Sequence, residues 1–492
     1  MKAYSTDAIR QADARAIAEG TPSLTLMRRA AEGINNAYEI KGRVAIVAGL
    51  GNNGGDGIAL GNILIENGVD VDLYIFYKAV SRDAGYYLNI YKNKGGKLFT
   101  IDENTSLKGY DIIVDCIFGT GLTREIDGLY RVIIDRINMS GAYVISADIP
   151  SGINGNSGRV AGSAVRADLT VSFGGYKSGH YLNDGMDYTG RLVNIDIGIK
   201  PEGGYKIISD KDLTPLFPKR QRNINKGGAG KLIIIGGSAN YMGAVILASG
   251  AAAASASGAG LVTVAVPKSF IPQMLLRITG ATLYPVPDKD GVICYDETVI
   301  SEAINGKDAA VFGIGCGRND DNIKIIRHLL KGRIPVLIDA DGINALSENI
   351  EALLNHNPDV ILTPHPKEFS RLTGIGVDNI LDNPIGAAEE FAGKYNVTLL
   401  LKGSSTIITD GRQSVISTSG APNMAKGGSG DVLSGIIGGL LARGLPAFKA
   451  AWAGAYIAGK AGEIARDIKG EYSANPEDTV NNIYKVILAA SC

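Results

Sequence analysis

An excess of either charge sign is missing from this sequence, since 49 basic residues stand against 50 acidic ones for a formal net charge of −1. Nucleic acids and anionic membranes select concentrated positive charge, so neither class of partner is indicated. Cysteine is also scarce, and Cys116, Cys294, Cys316 and Cys492 are spaced neither as metal ligands nor as a disulfide framework. We therefore expect a cytoplasmic protein with a small-molecule partner.

Targeting and membrane segments are missing as well. The first twenty residues carry several charged side chains, which excludes the apolar core of a signal peptide, so we expect the mature chain to start near Met1. Residues 232–267 carry no charge, but their large apolar residues flank an Ala, Ser and Gly segment. This pattern predicts a buried strand, a small-residue helix and a second buried strand rather than a transmembrane helix.

The length of 492 residues exceeds one typical hydrophobic core and predicts two domains. A polar stretch with prolines, 206–225, is expected to link a domain at 1–205 to a domain at 226–492. Short apolar strands alternate with helical segments in both, which is typical of α/β domains with parallel sheets.

The first domain contains a strand, a glycine loop and a helix in succession. The strand Arg43–Ala48 runs into Gly49–Gly57, where Gly49, Gly51 and Gly54 satisfy the dinucleotide-binding fingerprint. This fingerprint is typical of nicotinamide dehydrogenases, so that class of enzyme is one alternative. It is disfavoured because the ribose-binding acid belongs at the end of the second strand, whereas Asp70 and Asp72 lie at its start.

Polar side chains follow several strands of this domain. Asp115 and Asp148 end two further strands, while Asn53 and Ser151 lie in the loops that follow strands. Ligands of open parallel sheets bind beyond the carboxyl ends of the strands, so these residues are expected to meet at one crevice. Oxygen donors without His or Cys suit a hard cation of low charge better than zinc.

The second domain places its chemistry late in the chain. The glycine turn Gly427–Gly430 delivers Asp431 to the start of a helix, where free backbone N–H groups and the helix dipole bind phosphate oxygens. Asp431 is then placed to accept a proton, although an acid there can also serve only as a helix cap. Lys402 and His365 follow other strands and are expected at the same site.

On these motifs the chain resembles the bifunctional NAD(P)H-hydrate repair enzymes. The matching segments are Asn52–Asp56, Gly119–Glu125, Asp148–Gly152 and Gly427–Asp431. The resemblance implies a Rossmann-like epimerase domain followed by a ribokinase-like dehydratase domain. Together they would interconvert the R and S hydrates of NADH and NADPH and dehydrate the S hydrate, with release of phosphate and of AMP or ADP.

The resemblance also implies the residues of both sites, with Asp148 and Asp431 as the catalytic carboxylates. The hydrate would bind in the first domain to Asn52, Asn53, Gly54, Gly55, Asp56, Gly119, Thr120, Gly121, Leu122, Thr123, Arg124, Glu125 and Asp148, and potassium to Asn53, Asp115 and Ser151. In the second domain it would bind to Ala244, Gly317, His365 and Asp431. ADP or ATP, with Mg²⁺, would bind to Lys402, Gly403, Ser404, Ser405, Thr406, Gly427, Gly428, Ser429 and Gly430.

The implied chemistry is phosphorylation of the hydroxyl at C6 of the nicotinamide ring, which turns it into a good leaving group. Asp431 would accept the hydroxyl proton and the loop N–H groups would hold the phosphate, while Asp148 would move the ring proton in the epimerisation. The chain departs from the family at Lys367, where glycine is usual, and at Gly315–Arg318, where Pro-Gly-Leu-Gly is usual.

Two alternatives stay open at this point. The second domain could be a ribokinase-family kinase of a small alcohol, because the glycine loop ending in Asp is shared, and the first domain could be a non-catalytic binding module. A kinase would release a phosphorylated substrate, whereas a dehydratase releases NAD(P)H and phosphate. We further expect a homo-oligomer.

Overall fold

The computed structural model describes residues 1–76, 80–122, 124–253 and 257–491. The chain divides by its internal contacts into a first unit, Met1–Lys206, and a second unit, Ile207–Cys492. The predicted linker, 206–225, contains the helix Asp210–Leu213 and the 3₁₀ turn Thr214–Leu216. Its apolar side chains Ile208, Leu213 and Phe217 pack in the core of the second unit. The independent folding of the two domains stays a prediction.

The first unit is built on a seven-stranded parallel sheet. The strand order is Lys97–Ile101, Asp70–Phe76, Arg43–Ala48, Ile112–Cys116, Tyr143–Ala147, Leu169–Phe173 and Arg191–Ile195. From the strand Arg43–Ala48 the chain first adds strands toward one edge of the sheet. It then crosses back to Ile112–Cys116, on the other side of Arg43–Ala48, and adds the remaining strands toward the opposite edge. The direction of winding therefore reverses between these two strands, which is where open α/β sheets bind ligands.

Helices cover the sheet of the first unit. Their bounds are Thr6–Ala18, Ser23–Ala37, Asn52–Glu66, Arg82–Asn93, Gly128–Asn138 and Gly185–Thr189. The break predicted at Gly20–Pro22 separates the first two. The strand Arg43–Ala48 is buried at every position after Arg43, as expected for a parallel strand with helices on both faces. A separate strand, Lys2–Tyr4, pairs with Tyr176–Lys177 and with Tyr205–Ile207.

Nine strands of the second unit lie side by side in one sheet, in the order Thr282–Val286, Leu261–Pro267, Lys231–Ile235, Ala309–Phe312, Val336–Ile338, Val360–Leu362, Thr398–Leu401, Thr406–Thr409 and Ser414–Ser417. The strands up to Thr398–Leu401 are parallel. The last two are antiparallel, which differs from the parallel sheet expected from the sequence. A tight turn around Gly411 joins them as a hairpin, which needs no crossover helix. The short strands Asp288–Lys289 and Val292–Ile293 pair separately.

The remaining helices of the second unit are Met242–Ala252, Ile271–Met274, Glu297–Ile304, Asp321–Lys331, Asp341–Ser347, Pro366–Thr373, Val377–Asp382, Pro384–Tyr395, Ser429–Ala442, Ala447–Lys469 and Pro476–Ser491. Further 3₁₀ turns lie at Lys268–Phe270, Ile350–Leu353 and Pro422–Met424. Within the described ranges, no helix is long and apolar enough to span a membrane.

The helix Ser429–Ala442 is buried from Val432 to its end. It packs closely on Met242–Ala252, and a Cβ on Gly435 would lie 2.2 Å from the carbonyl oxygen of Ala248. A side chain at Gly435 would therefore push the two helices apart. This packing fixes the start of the helix, and with it Asp431, relative to the sheet.

Candidate functional site

The glycine loop of the first unit is held tightly against the neighbouring strand end. The N–H group of Gly49 donates to the carbonyl of Cys116 at 2.9 Å, and a Cβ on Gly49 would lie 1.9 Å from the carbonyl oxygen of Ile117. Only glycine allows this approach. A Cβ on Gly119 would lie 3.3 Å from Cγ of Asn53, so the predicted segments 52–56 and 119–125 meet at the switch point of the sheet.

A cavity of about 610 Å³ opens at this edge of the first unit. Most of the predicted hydrate-binding residues line it, namely Asn52, Asn53, Asp56, Gly119, Thr120, Gly121, Leu122, Arg124 and Asp148. Gly54 and Gly55 are buried in the helix behind the loop, and Glu125 is exposed outside the lining. Thr123 lies outside the described residues. The lining also includes Arg10 and Asp13 of the first helix, neither of which was predicted as a site residue.

Asp148 has a backbone that few non-glycine residues adopt, with φ of +67°. Its N–H group donates to the carbonyl of Val171 at 2.8 Å, and its own carbonyl oxygen lies 3.0 Å from Nε2 of His180. The side-chain atom Oδ1 accepts from the N–H of Phe173 at 3.2 Å and from the ammonium of Lys177. The strained residue is thus fixed from several sides.

Lys177 and His180 were not predicted as site residues from the sequence. Both are buried, with Lys177 0% exposed and His180 1% exposed. Burial lowers the pKa of Lys177, and together with the charge of Lys177 it lowers the pKa of His180 to about 3. The signal that could have identified them is a lysine and a histidine three residues apart in the otherwise uncharged segment 169–183.

Two further carboxyl groups of the cavity bind their protons more tightly than usual. Burial, and then the charges of Asp148 and Asp13, raise the pKa of Asp56 well above its ordinary value. Burial and the charge of Asp148 also raise the pKa of Asp13. The cavity therefore holds carboxyl groups in contrasting environments, a common arrangement in acid–base catalysis.

The predicted potassium ligands form a buried polar group beside the cavity. Asp115 is 0% exposed and accepts hydrogen bonds from Oγ of Ser151 at 2.6 Å, from the N–H of Ser151 at 2.9 Å and from Oγ of Ser146 at 2.8 Å. Burial raises the pKa of Asp115, and these hydrogen bonds oppose the increase. By contrast, both amide atoms of Asn53, Oδ1 and Nδ2, are buried without a hydrogen-bond partner. An unpartnered buried amide oxygen is a feature that a ligand would satisfy.

In the second unit, Asp431 lies in the first turn of the helix Ser429–Ala442, after Gly428 in the left-handed conformation. Burial, followed by the charge of Asp339, raises the pKa of Asp431 to about 7. Lys402 opposes this increase. A carboxyl group that titrates near neutral pH at a helix N-terminus is suited to act as a general base.

Asp339 follows the strand Val336–Ile338 and connects it to the end of the strand Thr398–Leu401 and to the helix Ser429–Ala442. Its Oδ1 accepts from Nζ of Lys402 at 3.1 Å, and its Oδ2 accepts from Oγ of Ser434 at 2.7 Å. A Cβ on Gly430 would lie 3.8 Å from both Asp339 Oδ2 and Lys402 Nζ. The structure thus brings the predicted nucleotide-binding residues Lys402 and Gly430 together, from segments that are far apart in the chain. Ser434 was not among the predicted site residues.

His365 caps the helix Pro366–Thr373. Its Nδ1 accepts from the N–H groups of Lys367 at 3.1 Å and Glu368 at 3.2 Å, so its proton is on Nε2. Glu368 completes a capping box by accepting from the N–H of His365 at 2.9 Å, and burial lowers the pKa of His365. The ring is 45% exposed, and its Nε2 lies 3.5 Å from Oε1 of Glu368. The departure at Lys367 keeps this cap because only its backbone takes part.

The remaining predicted residues lie in loops and at a helix start. The N–H of Gly317 donates to the carboxylate of Asp341 at 2.8 Å. This bond connects the loop Gly315–Arg318, where the chain departs from the family, to the segment that follows the strand Val336–Ile338. A Cβ on Gly315 would lie 3.0 Å from Cβ of Ala244, so Ala244 adjoins this loop. Gly403 and Ser404 are exposed, whereas Ser405 is buried and Thr406 begins a strand. Gly427 and Gly428 precede the helix, which starts at Ser429.

Both units match known families. A family model described as NAD(P)H-hydrate dehydratase matches residues 232–485, and one described as YjeF-related protein N-terminus matches residues 23–179. The bifunctional NAD(P)H-hydrate repair enzyme Nnr of Coxiella burnetii is 34% identical over 484 residues, which cover 95% of this chain and 96% of that protein. The enzyme of the same name from Thermofilum pendens is 34% identical over 463 residues, which cover 90% and 87%.

A solved structure supports the fold of the second unit. A ribokinase-like superfamily protein from Enterococcus faecalis superposes with a TM-score of 0.52 at 24% identity and covers 58% of this chain and 96% of its own. The fold expected from the sequence, a parallel α/β domain followed by a ribokinase-like domain, is confirmed. With two family models matched in order and relatives similar over nearly the full length, the chain belongs to the bifunctional NAD(P)H-hydrate repair enzymes, which combine an NAD(P)H-hydrate epimerase with an ADP- or ATP-dependent NAD(P)H-hydrate dehydratase.

Proposed function

We propose that Asp431 is the general base of the dehydratase reaction and that it accepts the proton of the C6 hydroxyl as that oxygen attacks a terminal phosphoryl group. The observation that carries this proposal is the position of Asp431 in the first turn of a buried helix, with a pKa raised to about 7. At that pKa the carboxyl group is available as a base near neutral pH and still binds a proton strongly enough to drive its transfer.

The phosphate would lie between the start of the helix and Lys402. The N–H groups of Gly427, Gly428 and Gly430 would supply donors at the positive end of the helix dipole, whereas the N–H of Ser429 already donates to the carbonyl of Lys426 at 3.3 Å. Nζ of Lys402 lies 3.1 Å from Oδ1 of Asp339, which orients it. The segment Gly403, Ser404, Ser405 and Thr406 would contact the nucleotide. Elimination of the phosphorylated hydroxyl then restores the dihydropyridine ring.

Magnesium ions fit the charge of this site. Asp431 has Asp339 and Asp341 as charged neighbours and Lys402 as the opposing cation, so a nucleotide brings further negative charge to a group of carboxylates. Carboxylate oxygens such as these would suit Mg²⁺, which would supply positive charge against the negative charge that develops on the phosphate. The hydrate itself would lie against Ala244, Gly317 and the half-exposed ring of His365.

In the first unit, we assign epimerisation to Asp148 and hydrate binding to the loops 52–56 and 119–125 around the cavity. Potassium would bind through Asn53, Asp115 and Ser151. The unpartnered amide oxygen of Asn53 fits such an ion, while Asp115 and Ser151 are already bonded to each other and would contribute their remaining lone pairs. Three oxygen donors with one formal charge suit a large, weakly hydrated cation better than Mg²⁺.

The decisive experiment measures absorbance at 340 nm with purified S hydrate, with ADP or ATP and with or without Mg²⁺. We expect NAD(P)H to appear only when nucleotide and Mg²⁺ are both present, with one phosphate released for each NAD(P)H formed. Accumulation of a phosphorylated hydrate without NAD(P)H would instead identify a kinase. For the whole molecule we also infer a cytoplasmic homo-oligomer, to be checked by light scattering.

A further inference from the structure

Lys177 is a fully buried lysine without a role in the assignments above. Its ammonium has three protons, and three acceptors surround it, namely Oδ1 of Asp148, Oγ of Ser172 at 3.0 Å and the carbonyl oxygen of Phe173 at 3.2 Å. A buried cation is costly unless it is paired and fully hydrogen-bonded. Across the described parts of the chain, Asp148 is the one carboxylate within ion-pair distance of Lys177.

The bonds around Asp148 leave its two carboxylate oxygens in different situations. Oδ1 accepts from the ammonium of Lys177 and from the N–H of Phe173, whereas Oδ2 has no hydrogen-bond partner among the described residues. The backbone is held as well, because Nδ1 of His180 accepts from the N–H of Lys177 at 3.1 Å and its Nε2–H donates to the carbonyl of Asp148. Asp148 lines the cavity, so its unbonded oxygen is the one available to a ligand.

Asp56 lines the same cavity but lacks such support. Among the described residues no cation pairs with it, and its charged neighbours include the carboxylates of Asp148 and Asp13. Lys177 forms its ion pair with Asp148. Its charge also acts to lower the pKa of Asp56, but burial and the two neighbouring carboxylates outweigh that effect and disfavour a charge on Asp56. The two groups are therefore suited to opposite roles in proton transfer.

The substrate requires both roles. C6 of the hydrate carries a hydroxyl group and is bonded to the ring nitrogen N1, so it is a hemiaminal carbon whose hydrogen is not acidic. Inversion can proceed when a base removes the hydroxyl proton, the oxygen's electron pair forms a C=O bond, and the N1–C6 bond breaks with its pair moving to N1. An acid protonates N1, the aldehyde rotates, and closure on the other face reverses every step without net gain of a proton.

We propose that Lys177 is the positioning residue of the epimerase site, anchoring one oxygen of Asp148 so that the other acts as the base on the C6 hydroxyl, with Asp56 as the acid at N1. This inference rests on the proposed role of Asp148. It also specifies the proton that Asp148 moves, which is the hydroxyl proton and not the hydrogen on C6. Lys177 contacts neither substrate nor cavity and acts through Asp148.

The first test is Lys177→Met in the full chain, with interconversion of purified R and S hydrates followed by chromatography in the absence of nucleotide, so that the dehydratase is silent. We expect kcat to fall by about 10²-fold or more, the loss typical for a disabled general base, with KM changed much less. The acidic limb of the pH–rate profile should move to higher pH, because a carboxylate without its cation is protonated more readily. Parent values of kcat and of the pH profile would overturn the proposal.

Lys97→Met is the matched control. Lys97 also forms an ion pair in the first unit, with Asp70 at 2.7 Å, but its side chain is 59% exposed. The same change of side chain there should leave kcat, KM and the pH profile at parent values. A comparable loss in this variant would show that Lys177→Met acts through general destabilisation, and would overturn the positioning role.

A double variant tests whether Lys177 acts through Asp148. It also covers the case in which Lys177→Met alone folds poorly, because it removes both charges of the buried pair at once. Asp148→Asn/Lys177→Met should epimerise at the same rate as Asp148→Asn, because a residue that supports Asp148 has nothing left to support. A further tenfold loss in the double variant would overturn the proposal. If Asp148→Asn itself keeps the parent rate, the proposed function of Asp148 fails instead.

Two measurements test the ring-opening step and the acid. In D₂O the epimerised product should carry no deuterium at C6, because the C6–H bond never breaks, and deuterium at C6 would exclude this route. Asp56→Asn should reduce kcat by about 10²-fold and remove the alkaline limb of the pH profile, since an amide cannot supply the proton. A parent rate in Asp56→Asn would overturn its role as the acid.

Discussion

Replacing Asp431 by asparagine should abolish dehydration and, above neutral pH, make the second unit more stable. The pKa of Asp431 in the folded protein is raised to about 7 from the ordinary value of 3.8, mainly because of burial and then because of the charge of Asp339. Below pH 3.8 the carboxyl group is protonated in both states. Between pH 3.8 and pH 7 the unfolded chain loses this proton while the folded protein retains it, so the stability of the parent falls as pH rises. Above pH 7 the carboxyl group is ionised in both states, and the loss of stability stays constant.

The size of this cost follows from the shift. About three pKa units at about 1.4 kcal/mol each give about 4 kcal/mol as an upper bound for the parent's loss of stability between pH 4 and pH 8. Asparagine does not titrate. The free energy of unfolding of Asp431→Asn, relative to the parent, should therefore increase by up to about 4 kcal/mol over this range.

Trp452 makes this measurable in the full chain. It is the single tryptophan of the sequence and lies buried in the helix Ala447–Lys469, so its fluorescence during urea unfolding reports on the second unit alone. Asp321→Asn is the control with opposite sign, because Lys324 and the N–H of Tyr295 lower the pKa of Asp321. That stabilisation is present above the unfolded-state pKa, so this variant should lose stability relative to the parent at pH 8.

The same Asp431→Asn protein should lose about 10²- to 10⁴-fold in dehydratase rate while it keeps its fold. For the parent, kcat/KM should rise with pH and level off above about pH 7, since the base acts in its deprotonated form. Near-normal turnover of Asp431→Asn would falsify its role as the base. A stability difference that does not change between pH 4 and pH 8 would contradict the raised pKa.

In a mixture of both epimers with ATP and Mg²⁺, Asp148→Asn should stop at the absorbance amplitude of the S hydrate, apart from slow spontaneous epimerisation, and complete conversion at the parent's rate would contradict the assignment. Replacing potassium by lithium at equal ionic strength should weaken hydrate binding to the first unit, because the oxygens of Asn53, Asp115 and Ser151 match a large cation; equal affinities would reject this site. Residues 1–206 and 207–492, expressed separately so that each keeps its own core residues, should each melt cooperatively and keep one activity, and if neither fragment does so the proposed boundary is wrong.

Local patterns in the sequence were sufficient to locate most strands and the loops that follow them. Arg43–Ala48 and Lys231–Ile235 are short apolar runs bounded by glycine, and both are buried parallel strands in the structure. Because parallel strands carry their ligand-binding loops at one edge, the positions of Asp148 and Asp431 at a strand end and a helix start already indicated two sites. The family resemblance supplied the reaction that these sites perform.

Local patterns were less informative where burial depends on distant partners. The segment 206–225 is polar and contains prolines, which are typical of a linker, yet Ile208, Leu213 and Phe217 lie in the core of the second unit. The hairpin Thr406–Thr409 and Ser414–Ser417 extends a parallel sheet in antiparallel fashion. In both cases packing against residues far along the chain decides the outcome, and composition over a short window does not record it.

By itself the sequence determined the two α/β domains, the glycine loops and the carboxylates that end the strands, because these depend on local periodicity and on residues that permit tight turns. Only the tertiary structure decided how those carboxylates differ chemically. Lys177 reaches Asp148 across 29 positions, and Ser434 reaches Asp339, the neighbour that raises the pKa of Asp431, across 95. Proton affinity depends on burial and on the nearest charges, and both are set by the three-dimensional packing of segments whose spacing in the sequence follows no rule.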